Sequence, residues 1–533
     1  MWYTPRMKQV QSSVDKREIE WQFDAMDTAP VVRWLAQHAK GDGLTAKPDR
    51  VRQLVDTYFD TVDWRFHRAG YSIRVRRWGR RFEASLKAFG EAENGKRDRR
   101  EFTQPLSKLE ELRTASGAVA DRMRALAGEQ ELIPLFTITT SRKPYNVADN
   151  GQVVGEVVVD ESLVASCDGS QRQRIQRVEV EVEDAEYAGV RAWVEDLRES
   201  CGLRVAGLAK YHVGLSVVGL HPAPLPEFGS LAIAKDGTIG EVASAVLRKH
   251  LGSLLAHEAG ARLGDDPEDL HDMRVATRRL RAALSLFSDI LALRAQRVRE
   301  ELRWLGHALG EVRDLDVQIE QLHARRDETA ERQKDLTPLH AVLERQRNEA
   351  RQRMLAVLDS DRYRKLVGSI TSMFDRGPVP VIDAGQVPVL EAAPDLLTKR
   401  YRRFRKAGDA ITPASPSEEF HELRKRGKRL RYALEFFGDV YGKSTKEMVA
   451  PLITMQDILG AHQDAYVAVA RLRELSTTEG DQLPSSTAFA MGEIAERYAQ
   501  QTAELRSQFP DAYQALQGRR WQRLRRRMKE GRP

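Results

Sequence analysis

At 533 residues the chain is too long for one core, and two or three domains are expected. Its 85 Lys and Arg nearly balance 78 Asp and Glu, a net +7, so basicity is local and its position matters more than its total. Two cysteines exclude a disulfide framework and a thiolate metal cage. With no apolar signal core at the N-terminal end and no run of 18 apolar residues, the expectation is a cytoplasmic protein without a membrane partner.

Residues 14–217 read as strand-rich with some helix. Alternation marks strands at Glu18-Ile19-Glu20-Trp21-Gln22-Phe23, Ser72-Ile73-Arg74-Val75-Arg76, Glu83-Ala84-Ser85-Leu86-Lys87 and Val178 to Glu183. Thr28 to Ala39 predicts a helix with Thr28 as N-cap and Pro30 in its first turn, and Ala185 to Glu199 predicts another. The period of two puts Glu18, Glu20 and Gln22 on one strand face. It does the same for Arg74 and Arg76, for Glu83, Ser85 and Lys87, and for Glu179, Glu181 and Glu183. Ile19, Trp21, Ile73, Val75, Leu86, Val180 and Val182 form the opposite, buried face. The charged face of any one strand is equally the wet side of an antiparallel sheet. Several together invite a second reading. Five arginines lie between Arg74 and Arg81, and closing the sheet would line a lumen with both signs of charge. Carboxylates spaced i,i+2 suit Mg²⁺ or Mn²⁺, hard cations that prefer oxygen. Arg and Lys across such a lumen would hold phosphates, Arg through bidentate forks. Metal plus basic clamp is the common recipe for phosphoryl transfer, which needs charge neutralisation more than covalent chemistry.

His221-Pro222-Ala223-Pro224-Leu225-Pro226 marks a linker, taken as 218–229. Beyond it, to 515, the patterns are helical, interrupted by a second Pro/Gly break from Gly377-Pro378-Val379-Pro380 to Pro388. On a helix, His271, Arg274, Arg278 and Arg281 share one face, and Met273, Leu280, Leu284 and Phe287 share the other. His421, Arg424, Lys428, Arg429 and Arg431 follow His271, Arg274, Arg278, Arg279 and Arg281 at a constant offset of 150 residues. Leu430, Leu434 and Phe437 repeat Leu280, Leu284 and Phe287. Leu309-Gly310 to Asp314 is echoed by Leu459-Gly460 to Asp464, and Lys249, Leu251 and Leu254 by Lys399, Tyr401 and Phe404. A gapless offset predicts a duplication into two pseudo-symmetric helical bundles, about 240–375 and 390–515. Like charges at i,i+4 weaken a helix by roughly 0.2–0.5 kcal/mol per pair, so a stripe of one sign kept twice points to a multivalent anion. The stripe is poor in aromatics for base stacking, which favours a phosphate polymer without bases over nucleic acid, although duplex contact through phosphates alone stays open. His271 and His421 lack the second His at i+4 that would suggest a metal. Asp314 and Asp464 read as partners of the basic helices. The basic tail, 516–533, reads either as a solvated helix end or as an extra anion patch.

With these residues placed, the first region resembles the CYTH superfamily, the triphosphate tunnel metalloenzymes. Their hallmark is Glu-x-Glu-x-Lys on the first strand; here it is Glu18-Ile19-Glu20-Trp21-Gln22, with glutamine where the pattern has lysine. Arg74-Val75-Arg76 matches the Arg-x-Arg strand, Ser85-Leu86-Lys87 the strand ending in lysine, and Arg99-Arg100-Glu101 the next basic and acidic element. Arg142 follows the Thr139-Thr140 strand, Glu156 to Asp160 fits a later acidic strand, Glu179-Val180-Glu181 matches the late Glu-x-Glu, and Lys210 the C-terminal lysine. The second region, 230–515, resembles a CHAD domain, a helical duplication with His-x-x-Arg signatures.

The resemblance implies an α+β chain. An eight-stranded antiparallel β tunnel with flanking helices would be followed by an all-α duplicated helical-bundle domain. It implies Glu18, Glu20, Asp160, Glu179 and Glu181 as ligands of Mg²⁺ or Mn²⁺. Arg74, Arg76, Lys87, Arg99, Arg142 and Lys210 would bind a triphosphate, with Glu18, Glu20 and Lys87 in the catalytic role. His271, Arg274, Arg278, Arg281, His421, Arg424, Lys428 and Arg431 would bind inorganic polyphosphate. The leading reading is a metal-dependent triphosphate hydrolase held on polyphosphate by its helical half. The alternatives are a binding protein without efficient turnover, because Gln22 brings no cation, and an adenylate cyclase, for which no base-reading pocket is evident.

Overall fold

The computed structural model describes residues 14–530 except 41–42, 91, 94, 185–186, 188, 223–231, 292–293, 327–329 and 374–382. Most of the expected linker and the first half of the Gly377 to Pro388 break lie outside the described residues. The chain divides into two compact units, Met1–Pro224 and Leu225–Pro533.

In chain order the first unit runs β1 (Val14–Asp24), α1 (Ala29–Gln37), β2 (Leu44–Pro48), β3 (Arg52–Asp60), α2 (Arg65–Arg68), β4 (Tyr71–Trp78), β5 (Arg81–Ala88), β6 (Ala92–Glu93), β7 (Lys96–Leu106), α3 (Ala118–Ala127), β8 (Ile133–Asp149), β9 (Gln152–Ser166), β10 (Arg172–Val182), α4 (Val190–Ser200), β11 (Arg204–Val205) and α5 (Lys210–Val217). Antiparallel pairing runs β1-β10-β9-β8-β3-β4-β5-β7 and returns to β1, closing an eight-stranded barrel. The long β8–β9 hairpin turns on Asn150 and Gly151, both at positive φ (47° and 85°), the conformation of a type I′ turn that matches strand twist. Outside the barrel, Val31 and Leu35 of α1 and Val190, Val194 and Leu197 of α4 bury Trp21, Phe23, Val157, Val159, Val178 and Val180. Burying each such side chain contributes about 1.5–3 kcal/mol. Tyr211 and Leu215 of α5 pack on Tyr58, Phe136, Ile138 and Val164. A Cβ on Gly214 would meet the Phe136 ring, so α5 reaches β8 only because this position is glycine.

Thr28 differs from its expected role. It stands at the N-cap position but donates to Glu161 at 2.9 Å, while Asp27 accepts from the Ala29 N–H at 3.0 Å and so serves the helix end. The second helix is described over Val190–Ser200, and residues 185–186 and 188 of its expected start lie outside the described residues.

The second unit is helical: α6 (Ile239–Ala256), α7 (Glu258–Leu263), α8 (Pro267–Leu286), α9 (Arg294–Arg326), α10 (Ala330–Asp359), α11 (Asp361–Thr371), α12 (Val389–Gly408), α13 (Ser417–Phe436), α14 (Gly438–Tyr441), α15 (Lys443–Thr478), α16 (Ser485–Gln514) and α17 (Arg519–Glu530). The offset of 150 maps α6 onto α12 and α8 onto α13. Ile239 N–H donates to Val387 O at 3.0 Å and Val389 N–H to Gly237 O at 2.9 Å, a reciprocal pair of the kind a two-fold relation produces. Phe287 and its repeat mate Phe437 meet edge to face, 6.1 Å between ring centres. The two halves share one core, which holds Met273, Leu280, Leu284, Leu430, Leu434 and Phe437. The stretch expected as a basic tail also enters that core. Leu516, Trp521, Leu524 and Met528 are buried in it, and Trp521 stacks on Tyr401 at 3.8 Å.

Candidate active site and anion groove

Barrel closure turns the charged face of each strand inward, onto a cavity of about 350 Å³. Glu18, Glu20, Arg74, Arg76, Lys87, Arg99, Arg142, Glu179, Glu181 and Lys210 all line it. So do Lys16, Glu83, Glu101 and Glu156. Asp160 is wholly buried in the wall, clamped by both arms of Arg142 at 2.9 and 2.7 Å and by Lys210 at 2.5 Å. Lys210 comes from the first turn of α5 and also lies 3.0 Å from Glu179, which Arg142 meets at 3.2 Å. Across the lumen, Lys87 bonds both oxygens of Glu18 at 2.7 and 2.9 Å and stands 3.1 Å from Glu101. Arg99 bridges Glu18, at 3.1 Å, and Glu20. Arg76 clamps Asp56 at 2.8 and 2.9 Å, and Arg74 donates to Ser85 at 2.8 Å and lies 3.6 Å from Asp56. Lys16 reaches Glu181 at 2.6 Å. Gln22, where the motif has lysine, donates from Nε2 to Glu20 Oε1 at 2.8 Å, and its Oε1 is buried without a partner.

These pairs split the carboxyls. Burial disfavours ionised Glu18, but Lys87 and Arg99 outweigh it and hold the group well below the usual carboxylate range. Burial dominates at Glu20, with Glu18 and Glu179 adding repulsion that Arg99 does not cancel, and its pKa is raised. Glu179 is held low by Lys210 and Arg142 against burial. Burial works against the Lys87 ammonium, but Glu101 and Glu18 keep its pKa above the usual value.

Among the described residues no three acidic, His or Cys side chains are gathered into a metal cage. The donor chemistry nevertheless suits a hard divalent cation. Mg²⁺ is held by one or two carboxylates plus substrate phosphates and water rather than by an all-protein cage. Glu18 and Glu20 supply two carboxylates, and the orphaned Gln22 Oε1 supplies a neutral oxygen beside them.

Three residues that line the cavity or pair with its lining, Lys16, Glu101 and Asp56, were open to sequence reasoning but were given no site role. Lys16 and Glu101 continue the alternation of Glu18 and Arg99 by one step. Asp56 sits on β3, whose Leu54-x-Asp56-x-Tyr58 pattern is as regular as the strands that were found. Arg100 faces outward and pairs with Asp15 at 3.0 and 2.8 Å, and Glu183 is exposed beyond the end of β10.

In the helical unit, α8 and α13 pack together and their basic stripes converge. His271, Arg274, Arg278, Arg281, His421, Arg424, Lys428 and Arg431 are all half-buried. Burial, with Arg424, Arg278, Arg274 and Arg431 around it, pulls the Lys428 ammonium down to about 7. Nε of Arg278, Arg281 and Arg424 is buried without a partner. Asp314 meets Arg274 at 3.2 Å. Burial and nearby cations push the His271 and His421 pKa values below the ordinary histidine value. Arg279 and Arg431 meet Glu435 at 3.0 and 3.4 Å. Arg274 lies 3.6 Å from where a Cβ on Gly310 would be, and Arg424 3.4 Å from the equivalent point on Gly460. The companion motif is thus the bare helix surface on which each arginine lies.

A closed antiparallel tunnel with a two-signed lumen, joined to a helical duplication with a cationic groove, defines the class. A family model for the CYTH domain matches residues 31–211 and one for the CHAD domain matches 245–473, so the chain belongs to the CYTH–CHAD proteins. Two uncharacterised proteins of Mycobacterium tuberculosis (strains CDC 1551 / Oshkosh and ATCC 25618 / H37Rv) are 25% identical over 476 residues, covering 85% of this chain and 87% of theirs. Among solved structures, the CHAD domain from the plant Ricinus communis is 28% identical and matches with a TM-score of 0.48, covering 55% of this chain and 98% of that one. A putative adenylyl cyclase from Hippeastrum, described as having a dominant triphosphatase activity, is 16% identical with a TM-score of 0.30, covering 38% of this chain and 97% of that one. No helix among the described residues is long and apolar enough to cross a membrane.

Proposed function

We propose that the tunnel hydrolyses inorganic triphosphate or a related triphosphate with Mg²⁺ or Mn²⁺, and that the helical unit binds inorganic polyphosphate, in the cytoplasm. The observation that carries the first part is the single cavity lined by Glu18 and Glu20 on one strand and by Arg74, Arg76, Lys87, Arg99, Arg142 and Lys210 on others. Its volume falls in the usual range of small-molecule sites, roughly 300–1,000 Å³. The guanidinium groups would exchange their carboxylate partners for phosphoryl oxygens, releasing Glu18 and Glu20 to a cation. Bound there, the metal would neutralise phosphate charge and polarise a phosphoryl oxygen. Lys87 would then hold charge on the reacting phosphoryl group. In the groove, buried guanidinium nitrogens without partners favour an anionic polymer that supplies many acceptors.

The test is phosphate release by the purified full chain, with Mg²⁺ or Mn²⁺, across tripolyphosphate, nucleoside triphosphates, thiamine triphosphate and long polyphosphate. Metal-dependent release from tripolyphosphate is expected. One observation favours a second reading, binding without turnover: Gln22 spends its amide donor on Glu20 and brings no charge. Tight binding of every triphosphate with no release would establish that reading instead.

A further inference from the structure

The inward cations of the tunnel nearly all have carboxylate partners, as described above. Arg97 is the exception among the described residues. It lies on β7 directly across the ladder from Glu20, and two residues along the same inward face from Arg99, both of which line the cavity. It is 6% exposed. Its Nε is buried without a partner, and its two NH groups touch only the carbonyl oxygens of Gly90 and Gly207, each at 3.5 Å, the outer limit of a hydrogen bond. Arginine cannot shed its charge to escape burial. A buried, unpaired cation is a standing penalty on the fold that a bound anion relieves.

Its position gives the penalty a purpose. The rung of Glu20 and Arg97 adjoins Gln22, where the motif's lysine ammonium is missing. Gln22 answers Glu20 with a neutral amide and leaves its own carbonyl oxygen unsatisfied. The strand that lost a cation and the strand that carries a spare one are therefore neighbours. Burial, then repulsion from Arg99 and Arg177, lowers the Arg97 pKa, and the Glu20 carboxyl across the ladder only partly offsets them.

Building on the proposed triphosphate chemistry, we propose that Arg97 replaces the cation that Gln22 lacks and binds the phosphoryl group that reaches this rung of the tunnel. It acts as a substrate-binding residue. The planar fork reaches two oxygens of one phosphate, where a lysine at position 22 would reach one. Because the charge now sits on β7, position 22 is free to carry a neutral oxygen.

The experiment compares wild type, Arg97→Gln, Arg97→Lys, Gln22→Lys and the double variant Gln22→Lys with Arg97→Gln in the full chain. Tripolyphosphate hydrolysis with Mn²⁺, calorimetric binding of tripolyphosphate and thermal melting are read for each. Arg97→Gln should lower kcat/KM at least tenfold, chiefly through KM. Arg97→Lys should lose less, and Gln22→Lys should recover most of the loss in the Arg97→Gln background while gaining less in wild type. Without ligand, Arg97→Gln should melt at the same temperature as wild type or higher, since a buried unpaired charge has gone. Wild-type kinetics in Arg97→Gln would overturn the assignment and leave the triphosphatase reading intact. So would a loss accompanied by a lower melting temperature and no recovery from Gln22→Lys, which is the mark of a structural arginine. A wild type that neither hydrolyses nor binds any triphosphate would end both. A wild type that only binds shifts the same comparison to Kd.

Discussion

The pKa values of two carboxyls on one face of β1 are pushed in opposite directions, and that difference comes from their neighbours rather than from their position in sequence. Glu18 has two cations and stays ionised; Glu20 shares one of them, is buried more completely, and faces other carboxylates. Replacing both by Ala should lower metal-dependent phosphate release by at least about 10²-fold, the scale of losing a preorganised electrostatic group. Because Arg99 would then lose both carboxylates and Lys87 would keep only Glu101, Glu18→Gln with Glu20→Gln is the companion variant, and melting curves separate lost chemistry from lost fold. Unchanged release in folded variants would mean the metal is held elsewhere. In the groove, Lys428 makes the pH prediction. Its folded pKa, about 7, lies below the ordinary lysine value of 10.5, so the unfolded chain holds the extra proton in that window. Lys428 therefore makes stability rise with pH from about 7 to about 10. A bound polyanion favours the charged form, so binding at pH 8.5 should take up a proton and affinity should fall as pH rises through the same window. Calorimetry in buffers of different ionisation heat measures the uptake, and Lys428→Gln should abolish it. No uptake by the wild type would show that the polymer does not sit against Lys428.

At the scale of elements, each basic stripe needs a neighbouring helix with nothing on its surface. Gly310 on α9 and Gly460 on α15 provide it. Glycine inside a helix is less favourable than alanine by roughly 0.5–1 kcal/mol. The Gly310 site leaves ordinary contact distance for a Cβ, so Gly310→Ala should raise the unfolding free energy by about that amount in chemical denaturation. Gly310→Leu and Gly460→Leu should instead displace Arg274 and Arg424 and weaken polyphosphate binding; wild-type affinity in both would remove the glycines from the account. This pairing of glycine with arginine explains why the Leu-Gly motif was visible as a repeat while its purpose was not. Periodicity reports which face a residue takes, and so Glu18, Arg74, Lys87 and Glu179 were legible from alternation, and Met273 and Leu280 from helical spacing. It does not report what lies opposite. Arg97 was hidden because its neighbours across the ladder, not its own strand, leave it unpaired. Asp160 read as an acidic ligand on a strand, and only the folded wall shows it saturated by Arg142 and Lys210. The burial of Trp521, Leu524 and Met528 was hidden beneath the arginines of the same helix, which dominate its composition.

At the scale of the whole molecule, the helical unit offers a polymer two related cationic faces fused through one core, and that arrangement makes a prediction that a single patch would not. Each half contributes one stripe: His271, Arg274, Arg278 and Arg281 from α8, and His421, Arg424, Lys428 and Arg431 from α13. A chain long enough to span both gains an effective-concentration term of about 10²–10⁴ over either patch alone, whereas tripolyphosphate engages one. Polymer length should therefore matter more than charge density. Affinity should fall with added salt, because condensed counterions leave the polymer on binding, an argument carried over from nucleic acids. Arg274→Gln, Arg278→Gln and Arg281→Gln together, in the full chain, should weaken long polyphosphate by at least about tenfold, since most of the linked gain is lost, and tripolyphosphate binding in the tunnel much less. Calorimetry with polyphosphates of graded length, set against DNA of matched charge, measures both trends. The aromatic-poor stripe offers bases no stacking surface, so DNA should bind more weakly than polyphosphate of equal charge. Equal affinity for DNA would reduce the groove to a generic basic surface, and an undiminished affinity in the triple variant would place the polymer elsewhere on the chain.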